Sequence, residues 1–94
     1  GFAANGMCCW RVPEAQADRA GRRLAADPDV THCYARPFTA AFPFNLYAMI
    51  HKTAWDEGFE AFRRLSGLVG HPGKVFFSTQ EFKKSSVRFF VEED

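Results

Sequence analysis

The fold and the candidate site of this chain depend most on residues 32–51, which read HCYARPFTAAFPFNLYAMIH. β-Prone residues at both ends flank a middle part that holds two prolines. The stretch therefore predicts a strand, an irregular loop and a second strand. Because side chains alternate between the two faces of a strand, each strand should have one small or aliphatic face and one polar and aromatic face.

This alternation sorts the side chains of the two strands into a core face and a functional face. The residues expected on the core face are Thr31, Cys33, Ala35, Leu46, Ala48 and Ile50. The opposite face carries the groups suited to binding and proton transfer, which are His32, Tyr34, Arg36, Asn45, Tyr47, Met49 and His51. The loop between the strands adds two large apolar rings, Phe42 and Phe44.

The elements on either side of this stretch are predicted from their own patterns. Residues 6–12 predict a first strand, and Pro13 opens a helix that Asp27-Pro28 stops. Residues 53–56 resemble a capping box at the start of a longer helix, and Gly70 ends that helix. The apolar stripe of the longer helix consists of Trp55, Phe59, Phe62, Leu65 and Val69. In the turn that follows it, His71 is expected to be exposed.

The order of these elements predicts the fold class. Residues 75–78 and 87–91 are β-prone, so the chain reads as β-α-β-β-α-β with a terminal extension. We therefore expect an α+β, ferredoxin-like βαββαβ sandwich with an antiparallel sheet and two helices on one face. An open sheet face with large aromatic residues does not stay in water, so the domain should dimerise through its open side, bind a ligand there, or do both.

Composition and charge narrow the class of protein. The 94 residues make one domain, residues 1–94, and Gly1 suggests that they are a fragment. A net charge of +1 with interspersed charges excludes strong attraction to nucleic acid, and no apolar run is long enough to span a membrane. Three cysteines make no disulfide framework, so we expect a cytoplasmic protein. Cys8, Cys9, His32 and Cys33 match no zinc spacing, so no metal site is expected.

Four segments, GMCCWRVPE, HCYARP, FPFNLYAMIH and STQEFKKSSVRFF, resemble the C-terminal effector-type domain of the Lrp/AsnC superfamily. More narrowly, they are similar to the siroheme decarboxylase branch. The resemblance implies a carbon-carbon lyase that converts siroheme to didecarboxysiroheme, on the route to heme d1 or in an alternative heme pathway. It also implies a winged-helix-like half before Gly1 and a homologous subunit as partner, in a heterodimer or homodimer. DNA binding by this domain is not expected.

The site residues follow from the functional face together with this resemblance. Loss of carbon dioxide from an acetate arm needs a proton donor at the new methyl carbon, and His51 and His32 are the catalytic candidates. The expected substrate-binding residues are Tyr34, Arg36, Phe42, Phe44, Asn45, Tyr47, Lys52 and Arg88. No cofactor is expected, since the iron belongs to the tetrapyrrole, and a histidine could alternatively be its axial ligand.

Two other functions are compatible with the same residues. The domain could be an Lrp/AsnC-type regulatory module that senses a ligand, although an amino-acid sensor does not need a histidine-rich face. It could also be a catalytically silent partner subunit. Phe44 and Lys52 favour that reading, because the family commonly has tyrosine and glycine at these positions.

Overall fold

The fold is the predicted sandwich with one additional paired strand. A computed structural model of the chain describes the backbone of residues 4–82 and 85–93 and the side chains of residues 4–78. The elements are β1 (Ala4–Trp10), α1 (Glu14–Ala25), β2 (Val30–Ala35), β3 (Leu46–Lys52), α2 (Trp55–Val69), β4 (Gly73–Phe82) and β5 (Ser85–Glu93). The strands form one antiparallel sheet in the order β2-β3-β1-β4-β5. The first four strands of that order confirm the ferredoxin-like prediction, and the terminal extension pairs with β4.

Both helices cover the same sheet face, where the main core lies. Helix α1 buries Ala20 and Leu24, and α2 buries Phe62, Leu65 and Val69 of the predicted stripe. The strand residues that meet them include Cys8, Trp10, Leu46, Ala48, Ile50 and Val75. Burying each large apolar side chain contributes roughly 1.5–3 kcal/mol, so this face supplies most of the stability. No helix within the described residues has the length and apolar character needed to cross a membrane.

The capping box predicted at the start of α2 is wrong by one residue. The N-cap is Ala54, and no side chain caps the helix. Thr53 lies one position too early, and its Oγ1 contacts Glu57 Oε1 at 3.0 Å instead. The predicted end is confirmed, because Gly70 adopts a left-handed φ of 81° and donates its N–H to Ser66 O.

A β-bulge changes the predicted facing of one residue in β2. The pairing register with β3 shifts between Val30 and His32, which leaves Thr31 as the extra residue. Thr31 is exposed, while Val30 and Cys33 both pack against the main core. The prediction for Thr31 is therefore wrong. His32 and Tyr34 pair with Met49 and Tyr47, as expected for the other face.

Candidate functional site

The sheet face that the helices leave uncovered, called the open face from here on, carries rows of paired side chains. Directly paired residues of neighbouring strands share a face, so the register defines each row. The first row is Tyr34, Tyr47, Cys9 and Lys74. The second is His32, Met49, Met7 and Phe76, and the third is His51, Asn5 and Ser78. Polarity and exposure change from one row to the next.

The β2–β3 loop covers the first row. Phe42 and Phe44 fold over it and form a second small core with Cys9 and Tyr47. The Tyr47 hydroxyl donates to Phe44 O at 2.9 Å, and burial raises the pKa of Tyr47. Burial also raises the pKa of the Cys9 thiol to about 12. Because both groups are buried and stay protonated at neutral pH, Cys9 and Tyr47 act as a wall at this end of the open face.

A line of aromatic rings runs along this wall. Tyr34 stacks on Tyr47 with ring centroids 4.9 Å apart and planes 10° apart, and Phe42 also stacks on Tyr47, at 5.9 Å and 16°. Phe76 continues the line at 5.7 Å from Phe42. Tyr34, at the sheet edge, is 42% exposed. The rings therefore offer a partly exposed apolar surface beside the second row.

The third row holds a paired histidine. His51 Nδ1 lies 2.5 Å from Asn5 Oδ1. A carbonyl oxygen only accepts, so Nδ1 carries the hydrogen and His51 Nε2 is the nitrogen left for a ligand. Asn5 therefore holds the ring in one orientation.

His32 lies next to His51 on the same face. Met49 pairs with His32, and His51 follows two residues later in β3. Diagonal neighbours of this kind are roughly 7–8 Å apart. The His32 side chain is exposed and makes no hydrogen bond to the described residues. The two predicted catalytic residues thus both neighbour Met49 on the open face.

Asn45 and Arg36 lie at the other end of the strands. Asn45 Nδ2 donates to Val12 O and Asn45 Oδ1 accepts from Val12 N, both at 2.9 Å. Its backbone also bonds to Trp10 O and to the N–H of Arg36. Asn45 therefore joins the ends of β1, β2 and β3, and its side chain already has two partners. Six residues of strand, about 20 Å, separate it from His51.

One predicted substrate-binding residue, Lys52, is not brought to the open face, whereas the register places Arg88 in the third row. Lys52 pairs with Ala4 of the main core, so it lies on the helix side of the sheet, where its Nζ contacts Asp29 Oδ1 at 2.7 Å. It joins an ionic cluster in which Arg64 bonds to Asp27 and Asp29. Arg88 pairs by its backbone with Ser78, and its side chain lies outside the described residues.

The cysteines are also separated by the sheet. Cys8 and Cys33 pack in the main core, whereas Cys9 lies under the β2–β3 loop on the open face. All three are free thiols. In the described part of the chain, no three His, Cys, Asp or Glu side chains come together in a way that could hold a metal ion.

A groove at the end of the sheet, called the end groove from here on, was not predicted from the sequence. It measures about 920 Å³ and is lined by residues that include Arg11, Glu14, Arg36, Phe38, Asn45 and His71. The prediction that His71 is exposed is wrong, because it is half-buried and its Nε2 lies 2.7 Å from Gln16 Oε1. The sequence feature that could have pointed to this groove is an arginine shortly before a proline. It occurs twice, in Arg11-Val12-Pro13 and in Arg36-Pro37.

Comparison with known proteins gives consistent matches. A family described as an AsnC-like ligand binding domain matches residues 1–83. The chain is 40% identical over 89 residues to the siroheme decarboxylase beta subunit of Methanosarcina barkeri, covering 94% of this chain and 59% of that subunit. It is 36% identical over 91 residues to the siroheme decarboxylase NirH subunit of Paracoccus pantotrophus, covering 94% and 57%. The chain thus spans less than two thirds of either relative.

A solved structure also matches. It is the crystal structure of the siroheme decarboxylase NirDL in co-complex with an iron-uroporphyrin III analogue, with a TM-score of 0.67 and 28% sequence identity. The match covers 93% of this chain and 25% of that chain. The similarity therefore includes nearly all of the fold described above.

Proposed function

This chain belongs to the family of AsnC-like ligand-binding domains, and from that premise we propose that it is the substrate-binding and catalytic domain of a siroheme decarboxylase subunit. The reaction removes carbon dioxide from acetate arms of siroheme and gives didecarboxysiroheme. The observation that carries the proposal is the His51–Asn5 pair, set beside His32 on a face of apolar and aromatic side chains. The named relatives support the same reaction.

The second row of the open face suits a flat macrocycle. Met49, Met7 and Phe76 are half-buried, so they present apolar surface without filling the space above them. Methionine side chains adapt to an irregular flat ligand, and the rings of Tyr34, Tyr47 and Phe42 form a wall beside them. The iron of siroheme enters with the substrate, and the scheme requires no further cofactor.

His51 is the proton donor in this scheme. When the bond to the carboxylate carbon breaks, carbon dioxide leaves and the electron pair stays on the methylene carbon, delocalised toward the macrocycle. Protonated His51 delivers the Nε2 proton to that carbon and gives a methyl group. His32 is the second candidate donor and would serve an arm on the other side of Met49.

Asn5 is a positioning residue in this proposal. It acts through His51 and does not touch the reacting carbon. Its Oδ1 fixes the Nδ1–H tautomer, so that Nε2 is the nitrogen presented to the substrate. Residues that orient a catalytic histidine in this way affect the rate through geometry, because a small misplacement weakens proton transfer.

A homologous subunit completes the proposed site. The open face leaves Tyr34 exposed and Phe42 and Phe76 partly exposed, an apolar surface that a second subunit would cover. Closure by a partner would exclude water from the acetate arm. The three free cysteines fit a reducing, cytoplasmic setting.

The test uses the intact protein with its partner subunit and siroheme under anaerobic conditions, with decarboxylation followed by mass spectrometry. We expect the product to have lost carbon dioxide, and we expect His51→Gln to slow this reaction roughly 100-fold or more. Lys52→Gln is the matched control, because Lys52 is the next residue of the strand but lies on the helix side. It should change turnover less than about two-fold, a margin that corresponds to roughly 0.4 kcal/mol.

Three outcomes would contradict the proposal. Unchanged turnover in His51→Gln would place the chemistry elsewhere, and so would a larger loss in Lys52→Gln than in His51→Gln. Tight binding of siroheme without loss of carbon dioxide would instead indicate a ligand-sensing domain or a silent partner.

Asn5 has a separate readout. Asn5→Ala should lower turnover about 10- to 100-fold. Asn5→Asp should move the pH–rate profile to higher pH, because a carboxylate beside Nδ1 favours the protonated ring. A merely structural role for Asn5 would leave the position of that profile unchanged.

A further inference from the structure

A β-bulge lies directly beside one of the two histidines of the open face. In β2, Thr31 and His32 both stand opposite Met49 of β3, because the register shifts between Val30 and His32. Bulges of this kind increase the local twist and change the direction of a neighbouring side chain, and they are frequent beside active sites. The bulge therefore affects how the His32 ring is presented to a ligand.

The fold itself does not need the extra residue of the bulge. Val30 pairs with Ile50 and His32 pairs with Met49, and Ile50 and Met49 are consecutive residues of β3. A strand without Thr31 would make the same pairs as a regular ladder, with Val30 still in the core and His32 still on the open face. Thr31 is also exposed. Packing therefore does not explain why this residue is present.

The side chain of Thr31 holds the bulge in one conformation. Thr31 Oγ1 donates to Met49 O at 3.2 Å, which is the carbonyl of the residue that the bulge faces. Threonine is branched at Cβ and has a restricted χ1 angle, so this hydrogen bond also restrains the backbone of Thr31. The backbone immediately before His32 is therefore fixed by a local contact.

The two histidines of the open face are oriented by different means. His51 has a side-chain partner, Asn5, whose Oδ1 lies 2.5 Å from Nδ1. His32 is exposed and forms no hydrogen bond within the described part of the chain. The direction of the His32 ring therefore depends on the backbone of β2, which is irregular at the bulge.

We propose that the Thr31 bulge positions the His32 ring as the proton donor for a second acetate arm, so that Thr31 is a positioning residue. This role rests on the proposed function and divides its two proton transfers between His51 and His32. At the second arm, carbon dioxide leaves as the carbon-carbon bond breaks, and the electron pair stays on the methylene carbon. Protonated His32 then delivers the proton that makes this carbon a methyl group. Thr31 acts through His32 and does not touch the reacting carbon.

Deletion of Thr31 tests this role in the intact protein with its partner subunit and siroheme under anaerobic conditions. Mass spectrometry separates product that has lost one carbon dioxide from product that has lost two. We expect the deletion variant and His32→Gln both to accumulate the singly decarboxylated product, with the second step slowed about 10-fold or more.

Point substitutions separate the hydroxyl group from the extra residue. Thr31→Val removes only the hydrogen bond to Met49 O, so it should slow the second step about 3- to 10-fold. Thr31→Ser keeps a hydroxyl and should restore most of the rate. Thr53→Val makes the same change at an exposed residue outside the site, and it should alter either step less than about two-fold.

A measurement without substrate keeps this proposal separate from the reaction itself. Nuclear Overhauser effects between the His32 ring and the Met49 methyl group report the direction of the ring in the free protein. We expect deletion of Thr31 to change them while the denaturation midpoint stays the same or rises, since the ladder becomes regular. Unchanged effects would overturn the proposal, and so would a deletion variant that does not fold. Changed effects without any turnover in the unmodified protein would contradict the decarboxylase reaction and still support control of the His32 ring by the bulge.

The same variants test a second possible role of the bulge. Bulges at a sheet edge also prevent a strand from pairing with another chain. The edge strand β2 has no Asp, Glu, Lys, Arg or Pro within residues 30–35 that would serve this purpose. Light scattering measures association of the deletion variant. Association with unchanged products and an unchanged His32 ring would assign the bulge to edge protection and overturn the positioning role.

Discussion

The two faces of β3 differ although they belong to one seven-residue strand. Leu46, Ala48 and Ile50 are fully buried beneath the helices. On the open face, Tyr47 is buried, Met49 is half-buried and His51 is exposed. The helix side thus fixes the backbone, and the open side uses that fixed backbone to place a histidine. A site built on a strand whose other face is core is held more rigidly than a site built on a loop.

The largest effect on stability is expected from a substitution on the helix side of β3. Ile50→Ala removes a fully buried side chain between the sheet and the helices, so we expect it to lower the free energy of unfolding by about 2–5 kcal/mol. Met49→Ala in the same strand should cost less than about 1.5 kcal/mol, because half-buried Met49 loses less contact. Urea denaturation of both variants measures the difference. Equal losses would show that the open face is as much a core as the helix face.

An intermediate effect is expected at the point where the strands are joined. Asn45→Ala removes two hydrogen bonds to Val12 and leaves partly buried backbone groups without partners, so we expect a loss of about 1–3 kcal/mol. Denaturant midpoints measure it, with the exposed Thr39→Ala of the neighbouring loop as control. Amide hydrogen exchange should also rise at the ends of β1 and β2. A neutral Asn45→Ala would mean that Asn45 does not hold the strand ends together.

The smallest expected effect concerns the ionic cluster on the helix side. The hydrogen bond from Arg64 lowers the pKa of Asp27 to about 2, from an ordinary value of about 3.9. The resulting stabilisation is therefore present above about pH 4 and is lost as the pH falls toward 2. Because Arg64 is 45% exposed, we expect it to be on the order of 1 kcal/mol.

Denaturation midpoints measured between pH 2 and pH 7 check the direction of this pH dependence of stability. Asp27→Asn should lower the midpoint at pH 7 and converge with the unchanged protein near pH 2. Asp18→Asn, in an exposed pair with Arg22, serves as control and should leave the pH dependence unchanged. A constant gap between Asp27→Asn and the unchanged protein across this range would rule out the proposed linkage.

The alternation of residues in the strands predicted much of the candidate site. It correctly placed His32, Tyr34, Tyr47 and His51 on one face, because strand parity depends only on neighbouring residues. It failed at Thr31, since a bulge inserts one residue and resets the count. The face of Lys52 also follows from parity, but its partner Asp29 comes from another part of the chain and was not foreseen.

Contacts between distant residues were outside the reach of sequence reasoning. Asn5 and His51 are 46 positions apart, and only the pairing of β1 with β3 brings them together. The end groove likewise combines the end of β1, the start of α1, the β2–β3 loop and the turn before β4. No local pattern carries such information, because the register between non-adjacent strands is set by packing of the whole sheet.

By itself the sequence determined the order of the elements, the ferredoxin-like class, the two faces of each strand and the resemblance to siroheme decarboxylases. These features depend on periodicity, turn residues and short motifs, all of which are local. Only the tertiary structure decided that Asn5 orients His51, that Lys52 pairs with Asp29, and that Arg11 joins Arg36 in the end groove. Each of these depends on which strands pair and in what register, and the burial of the main core under two helices fixes that register.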